Sequence, residues 1–313
     1  MYFNNILVVI DPENEKQAAL ERALHLIKQQ NSSQPVNLTA FLAIYNLSYA
    51  VSVTLSSSER EEMIAAVIAE KKEWLQGILA QYDLSNIQLK IEVVWESNEA
   101  DAIEKEIVKH HHDLVVKFTH QEDDLSSLIF TPTDWQLLRK SSCPILMVKD
   151  GDWQHQRRIL VAVNVSDDEP YHDDFNKQLV GLSMSLAQSL DRGNIHLVSA
   201  YPSAPVGITL DLPEFSVPDY GNSIRGQHLI NMKALRQHFG IAEDHTHVYE
   251  GLPEEVIPKV AQDIGAELVV LGTIGRTGLS AVLLGNTAEH VISQLNCNLL
   301  AIKPSKNLIT DDE

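Results

Sequence analysis

Short apolar runs alternate with amphipathic stretches along this chain. Ile6 to Ile10 is an unbroken apolar run, which reads as a strand buried on both faces of a parallel sheet. Asp11 and Pro12 end it. From Gln17 to Gln30, Ala18, Leu20, Ala23, Leu24, Leu26 and Ile27 recur at helical spacing. The same reading predicts strands at Leu38 to Tyr45, Ile87 to Glu96, Leu114 to Phe118 and Ile145 to Lys149. It predicts helices at Ser58 to Tyr82, Ala100 to Lys109 and Pro132 to Lys140. Ser58, with Glu61 three residues on, is the expected N-cap of the long one. Strands alternating with helices imply a parallel sheet covered on both faces. Right-handed crossovers narrow the topology to the doubly wound kind, whose ligands sit outside the carboxyl ends of the strands. The residues that follow strands one, two and four are therefore the candidate site.

The pattern then repeats. Residues 114 to 149 align without a gap onto 268 to 303, with ten of thirty-six pairs identical. Cys143 falls on Cys297, and Lys149 on Lys303. Ile6 to Asp11 answers Ile159 to Asn164, Phe41 to Tyr45 answers Leu197 to Tyr201, and Val94 to Glu96 answers Val248 to Glu250. A period of about half the chain means two whole domains, because solenoid repeats run roughly 20–50 residues. The fold class is therefore α/β, with two tandem doubly wound domains, each a five-stranded parallel sheet with helices on both faces. The expected bounds are residues 1–150 and 157–305, followed by an acidic tail, 306–313. Copy two departs from copy one mainly at Pro202 to Gly226, which carries four prolines. That stretch reads as a long loop, either a mobile lid or a packed insertion, before a helix from Gln227 to Phe239.

Composition narrows the function. The formal charge of −19 argues against a broad phosphate-neutralising surface, so no direct nucleic-acid binding is expected. No run approaches the ~18 apolar residues of a membrane span. The N-terminus shows no basic region or cleavage site, which favours the cytoplasm. The two cysteines begin equivalent strands and read as small buried hydrophobes rather than a disulfide.

The copies differ most in their glycines. After its fourth strand, copy two reads Gly272-Thr-Ile-Gly275, nine residues, then Gly285-Asn286-Thr287. Gly272 permits close approach of backbone or ligand, and Gly275 permits a positive φ and an anion-holding nest of N–H groups. Gly285 precedes a helix whose N-terminus favours an anion. Asn286 and Thr287 add side-chain donors, and Arg276 adds charge. Turn geometry and tight packing explain three glycines equally well, and neither a Walker A nor a G-x-G-x-x-G pattern is present.

This glycine spacing, the helix after it, Cys297 and the opening strand Ile159 to Val163 resemble the universal stress protein family. The resemblance covers both halves of the chain and implies an adenine nucleotide alpha hydrolase-like, Rossmann-like fold. It implies ATP or another adenine nucleotide as ligand, with magnesium. By position, Asn164 and Val165 would line the base, and Gly272, Gly275, Gly285, Asn286 and Thr287 would hold ribose and phosphates. The family usually has Asp where Asn164 stands, and Ser or Thr where Asn286 stands. The resemblance further implies a role in surviving starvation and DNA-damaging stress, and domains paired as an internal pseudo-dimer through 145–149 and 299–303. A homodimer is a further expected assembly. The function expected is that of a cytoplasmic stress-response protein, with a slow ATPase and a non-nucleotide scaffold as alternatives.

Copy one has Phe118, Gln121 and Thr131-Pro132-Thr133 at the matching positions. Pro132 lacks an N–H but suits a first helical turn. Thr131 and Asp134 can cap the helix internally, with the acid at the positive dipole end. The anion site is thus expected to be lost, with Phe130 and Trp135 filling the pocket, or the pocket converted to take an apolar ligand. The tract His110-His111-His112 reads as a solvated turn. His245 and His247 offer two imidazoles on one strand face, without a third ligand apparent for zinc.

Overall fold

The strands of each half lie parallel and in the same order. The computed structural model describes residues 3–30, 34–47, 56–119, 128–151, 158–166, 170–188, 193–203, 217–273 and 284–304. The chain divides into two compact units, the second of which also takes in Leu128 and Ile129. The N-terminal unit holds β1 (Asn5–Val9), α1 (Ala18–Gln29), β2 (Val36–Ile44), α2 (Ser57–Leu79), β3 (Ile87–Trp95), α3 (Glu99–His110), β4 (Leu114–Phe118), α4 (Pro132–Lys140) and β5 (Ile145–Val148). Its strand order is β3-β2-β1-β4-β5. Ile6 pairs with Leu38 on one side and Leu114 on the other. Leu7, Val8, Val115 and Val116 are fully buried, as strands covered on both faces require.

The C-terminal unit repeats the order with β6 (Arg158–Ala162), α5 (Pro170–Gln188), β7 (Asn194–Tyr201), α6 (Val217–Phe239), β8 (Thr246–Glu250), α7 (Pro253–Asp263), β9 (Leu268–Gly272), α8 (Asn286–Ser293) and β10 (Asn298–Ile302). Its strand order is β10-β9-β6-β7-β8. Ile159 pairs with both Ile195 and Leu268. Both units are doubly wound, and the order reverses beside β1 and beside β6, which puts the ligand-binding crevice there.

Two helix starts differ from expectation. The N-cap of α2 is Ser56, not Ser58: its hydroxyl accepts from Glu59 N–H, and the Glu59 carboxylate accepts from Ser56 N–H. Ser-x-x-Glu occurs twice there, and the extended backbone of Ser56 decides which one closes. α6 begins at Val217, ten residues earlier than Gln227. Pro218 falls in the first turn, where a missing N–H costs no helical bond. The long loop therefore shortens, and most of it, 204–216, lies outside the described residues, as does the acidic tail.

Candidate functional site

In the C-terminal unit the crevice begins where β6 ends. Asn164 is exposed and Val165 buried. The Asn176 side chain from α5 clasps the Asn164 peptide: its Oδ1 accepts from Asn164 N–H at 3.0 Å, and its Nδ2 donates to the Asn164 carbonyl at 2.6 Å. Asn164 Oδ1 accepts in turn from Ser166 N–H at 3.1 Å and from Ser166 Oγ at 2.7 Å. From α6, Asn231 Nδ2 donates to the Val165 carbonyl at 3.1 Å. The turn is thus held from two helices and cannot relax independently of them. The N-terminal unit holds its turn in the same way, with Gln17 clasping Asp11 at 3.0 and 2.7 Å. The spacing from turn to clasp is 6 residues in one copy and 12 in the other, so the alignment of the repeats hid the equivalence.

Gly272 ends β9 and is closely packed. A Cβ there would lie 2.4 Å from Phe175 Cε1. The buried ring of Phe175, on α5, occupies the space that a side chain at 272 would need. Thr273 follows, buried, its N–H donating to the Ile302 carbonyl at 3.0 Å. Thr119 makes the matching bond to Val148 at 2.8 Å.

Gly285, expected among the anion-binding residues, has its own amide engaged within the fold. Its φ is −65°, open to any residue, and its N–H is committed to the Thr273 carbonyl at 2.9 Å. Gly285 is the N-cap of α8 and, having no side chain, supplies no cap. The amides of Asn286, Thr287 and Ala288 have no acceptor among the described residues. Among the described residues, the unpaired donors therefore lie one to three residues beyond the glycine. Both Asn286 and Thr287 are exposed. Gly275 and Arg276 lie outside the described residues.

The N-terminal unit closes the same place with its own atoms. Thr131 N–H donates to Asp134 Oδ2 at 2.8 Å, and Asp134 N–H to Thr131 Oγ1 at 3.2 Å, a complete capping box with Pro132 in the first turn. Asp134 is fully buried, and its Oδ1 sits 3.0 Å from Lys117 Nζ. Glu99, at the start of α3, faces the same group, and burial holds its carboxyl above the usual range against the opposing pull of Lys117. Phe130 and Trp135 pack on one another, ring centroids 5.2 Å apart. A carboxylate with its own lysine stands where an anion would dock.

The histidine-rich stretches are less solvated than expected. His112 is buried, and burial pushes its pKa down. His110 Nε2 lies 3.0 Å from Lys90 Nζ, and only His111 turns outward, as a left-handed C-cap with φ 56°. The expected turn at 110–112 is therefore partly core, because the chain must re-enter the sheet at Leu114. His245 and His247 gain a third imidazole that the linear pattern did not reveal, His196 on β7. Its ring stacks 4.2 Å from that of His245, and its Nδ1 is 3.2 Å from His247 Nε2. Among the described residues, no three His, Cys, Asp or Glu side chains are placed to hold a metal. Cys143 and Cys297 form no disulfide; burial pushes Cys143 up to about 12, which removes it as a nucleophile. No helix among the described residues is long and apolar enough to cross a membrane.

The universal stress protein family model matches residues 2–149 and again 156–303. The chain is 62% identical to the universal stress protein E homolog of Haemophilus influenzae, over 98% of this chain and 99% of that protein. It is 47% identical to universal stress protein E of Escherichia coli K12, over 97% and 95%. A solved structure of a protein of unknown function from Pseudomonas aeruginosa PAO1 matches with a TM-score of 0.69 at 25% identity, covering 98% of this chain and 94% of that one.

Proposed function

The chain belongs to the universal stress protein family as a tandem of two of its domains, and from that premise we propose that its C-terminal domain binds ATP or another adenine nucleotide while its N-terminal domain does not. The observation that carries this reading is the contrast between two equivalent helix starts. α4 is capped by its own Thr131 and Asp134, whereas α8 has no side-chain cap. Free N–H groups at the positive end of a helix favour phosphate. In this reading the amides of Asn286 to Ala288 and the Thr287 hydroxyl take the phosphates, and the clasped turn at Asn164 and Val165 takes the base. Gly275 and Arg276 belong to the same proposed loop. Magnesium would enter with the nucleotide, since the Asn164 oxygen is neutral and already accepts two bonds. We place the protein in the cytoplasm, as a nucleotide-responsive factor in starvation and DNA-damage survival rather than a fast enzyme, with domains spanning 1–150 and 157–305.

The test copies the closed site into the open one. Asn286→Pro removes an amide at the position where Pro132 starts a sound helix, and Ala288→Asp adds a carboxylate where Asp134 stands. Each should abolish ATP binding measured by calorimetry while circular dichroism stays unchanged. Unchanged affinity in either folded variant would assign the loop a purely structural role.

A second reading applies to the N-terminal domain alone. Tyr45 and Leu47 are 45% and 62% exposed beyond β2, and the Tyr45 ring lies 5.7 Å from that of Trp95. An apolar ligand on this aromatic pair would quench Trp95 fluorescence, and Tyr45→Ser would remove the quenching.

A further inference from the structure

α6 runs past the ends of β6 and β7 and carries a buried group with an unmet hydrogen-bonding need. His228 is 2% exposed. Its Nδ1 lies 3.1 Å from the Ile224 carbonyl. A carbonyl only accepts, so Nδ1 carries a proton, and in the neutral tautomer this selects, Nε2 is a lone-pair acceptor. Nε2 is buried and has no partner among the described residues. A buried acceptor left unpaired is costly and uncommon.

The position of this atom suggests what should meet it. Asn231, one helical turn on, donates to the Val165 carbonyl at 3.1 Å. The ring of His228 packs 5.5 Å from that of Tyr201, the last residue of β7. Residues three apart share a helix face, so His228 and Asn231 both face the carboxyl ends of β6 and β7. That is the crevice in which doubly wound sheets bind ligands. At pH 8 a phosphate ester is deprotonated and only accepts, whereas the edge of a base can present an amine.

We propose that His228 is a specificity-determining residue that accepts, at Nε2, a hydrogen bond from the exocyclic amine of adenine; this rests on the nucleotide reading above. An oxo-purine presents a carbonyl oxygen at that position. Oxygen and Nε2 would then face each other as two acceptors, so guanine and hypoxanthine are rejected. Asn231 acts beside it as a positioning residue by fixing the Val165 carbonyl.

The experiment is calorimetry on the full chain at pH 8 with ATP and with ITP, which differ at that one group and its ring nitrogen. Wild type should bind ATP roughly tenfold more tightly than ITP, the effect of one hydrogen bond to a buried acceptor. His228→Phe keeps a ring against Tyr201 and removes the acceptor. It should weaken ATP to about the ITP level and leave ITP unchanged. The wild-type comparison needs no variant and so stands even if His228→Phe fails to fold. Equal wild-type affinities for the two nucleotides, or undiminished discrimination in a folded His228→Phe, overturn this inference alone. Failure of wild type to bind ATP at all overturns the nucleotide reading and this inference with it.

Discussion

Lys117 and Asp134 form an ion pair of 3.0 Å in the N-terminal domain, the carboxylate fully buried and the lysine side chain 12% exposed. In the C-terminal domain their equivalents are Leu271 and Ala288. Neither of these side chains carries a charge. Asp134 both caps α4 and pairs with Lys117, whereas Ala288 can do neither, so the two equivalent helix starts differ in charge and in capping.

Removing one partner should therefore be costly. Asp134→Ala removes the carboxylate that pairs with Lys117, leaving Glu99 as the remaining acid beside it, and breaks the capping box. The expected loss is about 3 kcal/mol of stability, the usual result of halving a buried pair, read from the urea midpoint. The variant should also regain anion affinity, so sulfate should raise its Tm more than that of wild type. A Tm insensitive to sulfate would show that Asp134 does not block an anion site.

Gly272→Ala tests packing against ligand approach. With Phe175 Cε1 2.4 Å from the added carbon, the buried ring must move, and overpacking of this kind costs roughly 1–3 kcal/mol. Phe175→Leu in the same chain should recover most of that loss. A strong coupling between the two sites in a double-mutant cycle is expected. If Gly272→Ala were instead neutral for stability and harmful only to ATP binding, the glycine would serve the ligand.

The three stacked imidazoles predict acid sensitivity. The His196 pKa is depressed to about 4, first by burial and then by His245, His247 and Arg158, against a small opposing effect of Asp244. His247 is depressed as well, by burial and His245. A folded-state pKa below the unfolded value favours the neutral ring, so stability is full above the ordinary value near 6.5 and falls as pH drops toward 4. Glu99 and Asp113, raised mainly by burial, act in the opposite sense, so the comparison must be with a variant. His196→Asn should flatten the decline by roughly 1–3 kcal/mol between pH 6.5 and 4.5, measured by urea unfolding. Identical pH slopes for the two proteins would refute the assignment.

Asn164 limits chemistry by being an amide. Hard divalent cations prefer charged oxygen, so Asn164→Asp should tighten the magnesium-dependent part of ATP binding several-fold and raise turnover. The carboxylate can still accept from Ser166, which preserves the turn. Wild-type turnover should stay well below about 1 per second, the low end of ordinary enzyme rates. Faster hydrolysis by wild type would reveal a catalytic group not identified above.

Much of the architecture was legible in the chain itself. The apolar runs at Ile6, Leu114, Ile159 and Leu268 specify buried parallel strands because only residues covered on both faces can be apolar without interruption. The ungapped repeat of 114–149 on 268–303 specifies two domains of one topology, and Thr131-Pro132-Thr133-Asp134 specifies a self-capped helix, because capping is local chemistry between residues three apart. The contrast between a closed and an open helix start follows from those residues alone.

What tertiary structure decided were the contacts made across elements. Phe175 packs against Gly272, Asn176 clasps Asn164, Lys117 meets Asp134, His196 joins His245 and His247, and the ring of His228 packs on Tyr201 at the end of β7. In each case the partners lie on different elements, so no spacing along the chain could pair them. The commitment of the Gly285 amide to Thr273 likewise depends on where β10 holds Thr273. Local patterns set the backbone and its caps because those interactions close within a turn or a strand. The site depends on which side chains the packed helices bring to the strand ends, and that is settled only when the sheet and its helices are assembled.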